Sequence, residues 1–580
     1  MILQLIQNRF LDALATLTDE PQVYLDLIRV SQNPKFGDYQ ANIAMPLAKK
    51  LGRAPRDVAA ALIAALKWQD FLEQPEIAGP GFINLKIRPD WLAEQAESAE
   101  KDDRLGVKQT DSPRTWVIDF SAPNVAKPMH VGHIRSTVIG NSLSRILRFL
   151  GNTVIADNHL GDWGTQFGMI IYGFRHYLDE AAYAENPVQE LGRLYRYVRQ
   201  QADADPAIMS EVLQETSKLH HGDADNRKLW SDFLPFCIAD IDRIYKRLGV
   251  TFDTTLGESF YNDRLAPLVA RFEKDGVARE SEGAVCIFLE GQETPMLIRK
   301  KDGAFLYATT DLATLEYRQE TWHPDAILYV VDVRQTLHFK QLFQVARMMG
   351  MTDTELQHVR FGTVLGEDGR PFKTRSGDTV GLESLLDEAE KRALTIVSAN
   401  DDSKSGGRTL TDEERLDVAR KVGIGALIYA DLSQNRESDY VFSYDKMLAM
   451  NGNTATYMQY AYARVRSIFA KGEITEDDLA AMRAVPNAIV ITEPAERDLA
   501  LTLLRFGEAL QGVVKEYRPN QLTAYLYELA NRYSSFFEQC PVLRAEEDAT
   551  RRSRLLLCDL TAKTIRKGLE LLGIETVERM

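Results

Sequence analysis

Two histidines beside a glycine form the clearest chemical pattern in this sequence. They end the stretch Ser121-Ala-Pro-Asn-Val-Ala-Lys-Pro-Met-His130-Val-Gly-His133. Their spacing of three residues lets both rings address one face at the start of a helix, and Gly132 leaves room between them for a flat ligand. Backbone N–H groups and the positive end of a helix dipole bind phosphate at such a junction. The stretch therefore predicts a site for a nucleotide triphosphate.

The residues on either side of this loop predict one βαβ unit. Residues 116–120 form a short apolar run typical of a strand, and apolar residues then recur at helical spacing from Ile134 to Leu150. Gly151 ends that pattern before a second strand over 153–156. Parallel strands place a ligand crevice at their carboxyl ends. We therefore expect the histidine loop to open onto the crevice of an α/β domain.

Two other interpretations of the histidine pair are open at this point. A zinc site needs three or four ligands, and no acidic or cysteine partner is suitably spaced near His130 and His133. The pair could also do no more than cap a helix. The sequence predicts neither a structural zinc nor any other protein-bound metal.

Bulk composition is typical of an enzyme in a reducing compartment. The chain has 580 residues, of which 45% are hydrophobic and 26% are charged, enough for two to four domains with full cores. Its four cysteines are scattered without a Cys-x-x-Cys pair, which argues against a disulfide framework. The first ten residues form an amphipathic helical pattern, and no apolar run has the length of a membrane span. We expect a cytoplasmic protein with no membrane partner.

At the level of whole motifs, the sequence resembles a known family. His130-Val-Gly-His133 resembles the HIGH signature of class I aminoacyl-tRNA synthetases. The stretch from Phe120 to Gly140 and His159-Leu-Gly-Asp-Trp-Gly164 are similar to the arginyl-tRNA synthetases in particular. The similarity continues through residues 302–311, 329–335 and 571–580, so it spans nearly the whole chain.

This resemblance implies an α/β fold built from three domains. Residues 1–112 would form an N-terminal α+β domain that contacts tRNA, and residues 113–397 a Rossmann-like catalytic domain with a parallel sheet, the HIGH motif and a helical insertion near 174–250. A polar linker is expected over 398–407. Residues 408–580 would form an all-α anticodon-binding domain, with helical periodicity over 413–436, 455–470, 496–516, 520–538 and 550–572.

The implied reaction is the ATP-dependent activation of L-arginine and its transfer to tRNA(Arg), with Mg²⁺ accompanying ATP. Negative charge builds on the phosphoryl oxygens in the transition state, so fixed donors and cations are required. His130, Gly132, His133 and Lys373 would bind ATP, and the catalytic set would be Lys127, His130, His133 and Lys373. In this family the amino acid is activated only when tRNA is bound. A monomer is expected.

A selective arginine site needs carboxylates and neutral acceptors around a planar guanidinium. Tyr307 and Asp311 are four residues apart, so they can share one helix face. Matched residue by residue, the resemblance assigns the arginine side chain to Asn158, Glu258, Tyr307 and Asp311. It assigns the α-amino and carboxylate end to Asn124, His133 and Gln335. Any one of these carboxylates taken alone is more typical of a surface residue.

The second signature of the family, KMSKS, is altered to Lys373-Thr-Arg-Ser-Gly377. Its first lysine is present, but Ser376 or Gly377 stands where the second lysine is expected. Several arginyl enzymes combine this loss with a lysine just before HIGH, the position of Lys127. We predict that Lys127 supplies the missing charge; the alternative is that Lys127 is an ordinary loop charge.

The surface that binds tRNA is harder to predict from the sequence, because the net charge of the chain is −15. Residues 551–567 nevertheless carry six basic residues against Asp559 alone, which could form a phosphate-binding face. The predicted tRNA contacts are Phe82, Asn84, Arg551, Arg552, Lys563 and Arg566. A solvated basic face is an equal alternative from charge alone. Two other functions compete: a small-substrate nucleotidyltransferase, and a noncatalytic tRNA-binding protein.

Overall fold

A computed structural model of this chain describes residues 1–125, 127–372, 380–404 and 408–580. The N-terminal elements are α1 (Ile2–Leu14), β1 (Ile28–Val30), β2 (Tyr39–Ala41), α2 (Ala44–Leu51), α3 (Pro55–Ala65), β3 (Glu76–Ala78), β4 (Phe82–Leu85) and α4 (Pro89–Glu100). The strands form one sheet in the order β1-β2-β4-β3, with every neighbouring pair antiparallel. The structure confirms the predicted α+β module and its amphipathic first helix, which buries Ile2, Ile6 and Phe10.

The middle of the chain is built on a parallel sheet. Its elements are β5 (Thr115–Asp119), α5 (Val131–Phe149), β6 (Thr153–Leu160), α6 (Thr165–Tyr177), α7 (Glu180–Glu185), α8 (Pro187–Ala204), α9 (Pro206–His220), α10 (Ala224–Leu248), β7 (Thr254–Gly257), α11 (Asn262–Lys274), β8 (Arg279–Ser281), β9 (Ala284–Ile287), β10 (Met296–Arg299), α12 (Tyr307–Trp322), β11 (Ala326–Tyr329), α13 (Thr336–Met348), β12 (Glu355–His358), β13 (Val364–Leu365) and α14 (Leu382–Asp402). The five main strands lie in the order β12-β11-β5-β6-β7, and all four pairs are parallel. The predicted β5-α5-β6 unit is confirmed.

Helices α6 to α10 lie between β6 and β7, where the helical insertion is predicted. Strand β6 extends to Leu160, four residues beyond its predicted end. The reason is that residues 157–160 also pair with β7, a strand that the apolar pattern did not predict. Strand β5 covers one edge of β6 over residues 153–157, and β7 covers the other edge over residues 157–160.

The remaining elements are helical apart from one short strand. They are α15 (Asp412–Leu432), β14 (Tyr440–Val441), α16 (Tyr444–Met447), α17 (Ala455–Lys471), α18 (Glu476–Arg483), α19 (Pro494–Leu504), α20 (Phe506–Glu516), α21 (Asn520–Gln539) and α22 (Asp548–Leu571). The prediction of an all-α region is confirmed in its main helices. The single helix expected over 496–516 is divided at Arg505, and α18 was not predicted.

The predicted polar linker over 398–407 is wrong for its first half. Helix α14 continues to Asp402, and the Asp401 carboxylate is fully buried against the Arg415 guanidinium at 2.7 Å. Asp401 also accepts hydrogen bonds from the backbone N–H and the hydroxyl of Thr409. These polar residues therefore join α14 to α15 instead of standing in solvent, and residues 405–407 lie outside the described residues.

The N-terminal domain rests on the helical region through buried charge pairs. Arg497 on α19 binds the Asp38 carboxylate at 2.6 Å, and Lys563 on α22 binds Glu100 at 2.9 Å. Leu501 of α19 also belongs to the apolar core of the N-terminal domain. Across the described ranges, none of the helices combines the length and the apolar character needed to cross a membrane.

Candidate active site

The loop that precedes α5 is held from two sides by backbone hydrogen bonds. Val125 N–H donates to the Gly161 carbonyl and Gly161 N–H to the Pro123 carbonyl, each at 3.1 Å. On the other side, Val131 N–H donates to Val380, and Leu382 N–H donates to Met129. The loop therefore lies at the carboxyl edge of β5 and β6, as its sequence predicts, and its other side contacts Val380 and Leu382.

Both histidines of the signature cap the start of α5, each through its own Nδ1 atom. The Gly132 N–H donates to His130 Nδ1 at 3.0 Å, and the His130 N–H donates to His133 Nδ1 at 3.0 Å. Because each Nδ1 accepts a proton-bearing group, a neutral ring must carry its own proton on Nε2. The capping interpretation is therefore correct in geometry, and it leaves two Nε2–H groups able to donate. The ring centroids are 4.0 Å apart.

Electrostatics keep these rings neutral. Burial and the positive charge of Lys127 lower the pKa of His130. Burial, His130 and Lys127 together lower the pKa of His133 to about 3. Lys127 is itself half-buried, and its Nζ lies 5.4 Å from the centre of the Tyr195 ring on α8. The ammonium group of Lys127 therefore lies between the two histidines and the helical insertion.

A second group of predicted residues meets at the start of α12. His338 Nε2 lies 2.6 Å from Asp311 Oδ2, and the His338 ring packs edge-on against the Tyr307 ring at 4.9 Å. The predicted shared face of Tyr307 and Asp311 is confirmed, since both contact one side chain. Tyr307 is 60% exposed, so its ring is open to a ligand. The sequence did not indicate His338, which lies three residues beyond the motif that ends at Gln335.

Glu258 adds a carboxyl group to this pocket from the end of β7. Burial, followed by the negative charges of Asp311 and Asp162, raises the pKa of Glu258 to about 8. Asp162 holds the neighbouring turn: it accepts from the Ser259 N–H at 2.8 Å and the Ser259 hydroxyl at 2.6 Å. A carboxyl group that is repelled by two neighbouring carboxylates is suited to bind an organic cation.

Asn158 is buried and contacts the signature loop. Its side chain is only 1% exposed; its Nδ2 donates to the Tyr245 hydroxyl at 3.1 Å and its Oδ1 accepts from the Ala122 N–H at 3.2 Å. Residues 157–160 of β6 pair with β7, so one edge of this part of the strand is covered. Asn158 therefore positions the signature loop in this structure, and its direct contact with arginine stays a prediction.

The other predicted ligands remain near the pocket edge. Asn124 pairs through its backbone with Gly161, and its Oδ1 accepts from Gln166 Nε2 at 3.5 Å. Gln335 ends a short 3₁₀ turn before α13, with its side chain exposed. Lys373, Arg375, Ser376 and Gly377 lie outside the described residues.

Beneath the site, a buried arginine joins two strands of the sheet. Arg318 on α12 is fully buried, and its guanidinium binds Asp119 at 2.6 Å and Asp157 at 2.7 Å. These aspartates lie opposite each other on β5 and β6. The triad fixes α12, and with it Asp311, to the strands that carry the histidine loop. No sequence pattern predicted this triad, because its members are far apart along the chain.

The predicted tRNA contacts fall into two groups. Arg551 and Arg552 are half-buried and Arg566 is exposed, as a binding face requires, and Phe82 is half-buried. Asn84, by contrast, is buried and its Oδ1 accepts from Gln40 Nε2 at 2.8 Å. Lys563 is engaged by Glu100 and Asp559 at 2.9 and 2.8 Å. Lys563 is therefore occupied where α4 packs on α22, and the tRNA contacts of Asn84 and Lys563 stay predictions.

Three family models match successive parts of the chain. They are described as the arginyl tRNA synthetase N-terminal domain over residues 4–87, the class I (R) tRNA synthetase catalytic domain over 96–444, and the DALR anticodon binding domain over 458–580. The catalytic model ends well beyond the predicted border at residue 397 and includes α14 and α15.

Whole-chain comparisons agree with these matches. An arginine–tRNA ligase of Rhodopirellula baltica is 47% identical, with 99% of each chain covered, and one of Cellvibrio japonicus is 45% identical, with 100% of each covered. The crystal structure of the arginyl-tRNA synthetase of Plasmodium falciparum superposes with a TM-score of 0.84 at 27% identity, covering 100% of this chain and 99% of that one.

Proposed function

We propose a residue-level mechanism for this chain, which belongs to the arginyl-tRNA synthetase family and is an arginine–tRNA ligase. In the first step, a carboxylate oxygen of L-arginine attacks the α-phosphorus of ATP, and the bond from that phosphorus to the pyrophosphate oxygen breaks. The products are arginyl-adenylate and pyrophosphate. In the second step, the 2′-hydroxyl oxygen of the terminal adenosine of tRNA(Arg) attacks the arginyl carbonyl carbon, and AMP leaves.

One observation carries the proposal for the first step. His130 and His133 each use Nδ1 to cap α5, which leaves two neutral Nε2–H donors beside the dipole end of the helix. Neutral N–H donors stabilise the negative charge that develops on phosphoryl oxygens. Because they carry no charge, they do so without the cost of removing a cationic side chain from water. Lys127 is the described cation of this loop, and Lys373 would add a second from the altered signature. ATP enters with Mg²⁺ as its substrate form.

The arginine specificity is proposed to come from Asp311 and Glu258. A guanidinium presents five donors in a plane, which match carboxylates better than the single ammonium of lysine does. His338 holds Asp311 through a 2.6 Å contact, and Tyr307 would cover the face of the guanidinium. Asn124 and Gln335 would serve the α-amino and carboxylate end of the substrate.

The test is ATP–pyrophosphate exchange with each of the common amino acids, with and without tRNA(Arg). Arginine alone should support exchange, and only with tRNA present. Comparable exchange with lysine or glutamine would contradict the proposal that Asp311 and Glu258 select arginine. Robust exchange without tRNA would leave the arginine site intact but refute the tRNA requirement.

Asp311→Asn should raise the KM for arginine by about 10²–10³, because removing one partner of a buried ion pair costs about 3–5 kcal/mol. The KM for ATP should stay within about threefold, the size of an exposed charge effect. Asp325→Asn is the matched control, since its carboxylate accepts from the Thr115 N–H at the opposite end of the sheet. An unchanged arginine KM in Asp311→Asn would remove this residue from the pocket.

A further inference from the structure

A cavity of about 400 Å³ lies away from the nucleotide loop, where four parts of the chain meet. Its walls come from the later part of α5 with Arg145, the end of α10 with Lys246, α15 with Lys421, and α22 with Arg566. Arg145 is twelve residues beyond His133 on the same helix, which is about 18 Å along the axis. The cavity is therefore a separate site from the candidate active site.

Its wall is strongly basic. Five cations line it, namely Arg145, Lys246, Arg247, Lys421 and Arg566, together with the carboxylates of Glu570 and Glu575. Both carboxylates are engaged by cations outside the cavity: Lys567 binds Glu570 at 2.7 Å, and Arg420 binds Glu575 at 2.7 Å. The acidic residues of the wall thus do not neutralise its basic ones.

Three of the five cations keep their charge unpaired. Arg247 binds Asp387 and Glu390, and Lys421 binds Asp417. Within the part of the chain that the structure describes, no carboxylate lies within ion-pair distance of Arg145, Lys246 or Arg566. Such a concentration of unpaired positive charge in a concave site favours an anionic ligand.

Arg145 is also fixed in place, unlike a free surface arginine. Its guanidinium donates to the Gly249 carbonyl at 2.7 Å, the Glu570 carbonyl at 3.2 Å and Asn141 Oδ1 at 3.3 Å. These three acceptors are neutral, so they orient the cation without compensating its charge. Burial lowers the pKa of the Arg145 guanidinium, and this effect outweighs the opposing influence of the Glu570 carboxylate, which itself pairs with Lys567.

We propose that this cavity binds phosphate groups. A preoriented guanidinium with two further cations suits the several oxygens of phosphate, and the volume admits two phosphates or a nucleotide. Two sources offer this chemistry: backbone phosphates of tRNA, and a free polyphosphate. The tRNA source rests on the proposed function, whereas the free-polyphosphate source does not.

The test compares two double variants of the full chain. Lys246→Gln with Arg566→Gln removes two unpaired cations from the cavity. The control, Arg199→Gln with Lys228→Gln, makes the same change in net charge at surface pairs of the insertion, where these residues bind Asp203 and Asp232. Lys246→Arg with Arg566→Lys keeps both charges and should keep binding, which separates loss of charge from loss of folding.

In the first arm, tRNA(Arg) binding is measured from 0.05 to 0.3 M salt. If tRNA supplies the phosphates, the cavity variant should bind about tenfold more weakly near 0.1 M salt, and the slope of log K against log salt should fall by about 1–2. The control should match the parent. In the second arm, calorimetry measures inorganic tripolyphosphate with the nucleotide site filled by a non-hydrolysable ATP analogue.

Each outcome decides the proposal. A loss confined to the tRNA arm assigns the cavity to tRNA phosphates, and a loss confined to the tripolyphosphate arm assigns it to a free polyphosphate. Failure of the enzyme to bind tRNA at all would count against the proposed function and leave the second arm valid. If the cavity variant matches the control in both arms, the cavity does not bind phosphate.

Discussion

At the scale of single residues, the hydrogen bonds of His130 and His133 leave the Nε2–H group of each neutral ring able to donate. Their Nδ1 atoms are occupied by backbone N–H groups, and burial lowers the pKa of both rings, that of His133 to about 3. A ring that stays neutral near neutral pH offers phosphate an N–H without a proton equilibrium. The cationic contribution must then come from lysine, which makes Lys127 and Lys373 the residues to test.

Lys127→Ala should slow adenylate formation by about 10²–10³, the usual loss for one preorganised donor, while ATP binding changes little. Single-turnover measurements with saturating ATP, arginine and tRNA test this, with Lys373→Ala beside it. Lys228→Ala, an exposed lysine on α10, is the control. A rate within about threefold of the parent would identify Lys127 as a loop charge, and Arg375 would become the next candidate.

Glu258 should make arginine binding depend on pH. Burial and the neighbouring carboxylates raise the pKa of its carboxyl to about 8, so this group is mostly protonated at pH 7. A guanidinium binds the ionised form, and binding therefore releases a proton. The affinity for arginine should weaken about tenfold for each pH unit below 8 and level off above it.

Calorimetry at pH 7 in two buffers of different ionisation enthalpy measures this release, with tRNA and a non-hydrolysable ATP analogue present. The parent should release close to one proton per arginine bound. Glu258→Gln, which cannot ionise, should release none and bind with a flat pH profile. The same proton count in both proteins would show that another group titrates.

At the scale of elements, the site depends on how closely α5 lies on β5. A Cβ at Gly140 would come within 2.1 Å of the Phe120 ring, so only glycine permits this approach. The loop between β5 and α5 bends at Ser121 and Ala122, which both have a positive φ. Ser121 Oγ lies 2.8 Å from both the Thr137 and Tyr245 hydroxyls, which ties the bend to α5 and α10.

Gly140→Ala should therefore destabilise the fold by about 1–3 kcal/mol, the usual cost of overpacking, and displace both histidines. Gly192→Ala is the matched control, since its helical position meets only the end of the Arg196 side chain at 3.6 Å. That substitution should stabilise by up to about 1 kcal/mol through helix propensity. Denaturant unfolding and exchange activity measure both; equal effects would mean that the close packing is unimportant.

At the scale of the whole molecule, the signature helix is joined to the helical region by a buried charge pair. Arg135 Nε on α5 lies 3.1 Å from Asp431 Oδ2 on α15, and both side chains are inaccessible to solvent. Arg135 NH1 also donates to the Ser438 carbonyl at 3.1 Å. Burial raises the pKa of Asp431 despite the nearby guanidinium. The pair couples the start of α5 to α15.

Asp431→Ala should cost about 3–5 kcal/mol, since it leaves Arg135 buried without a counter-charge. Asp412→Ala on the same helix is the control: that carboxylate is exposed beside Arg408 and should matter by less than about 1 kcal/mol. Urea denaturation compares the two, with tRNA-dependent exchange as the second readout. Similar stability of both variants would contradict a coupling role for the buried pair.

The sequence by itself determined the parts of this protein that depend on neighbouring residues. Apolar spacing predicted the β5-α5-β6 unit and most helices of the C-terminal region, and the position of the histidine tetrad between β5 and α5 followed from it. The same local reasoning put Tyr307 and Asp311 on one face, because residues four apart on a helix lie on the same side.

Only the tertiary structure decided which polar side chains are available to a ligand. Asn158, Asn84 and Lys563 are each satisfied by a partner on another element, and the local sequence carries no sign of those partners. Conversely, His338 reaches Asp311 from the next helix. Burial and hydrogen bonding of a polar group are set by contacts between residues distant along the chain, so they appear only when the elements pack.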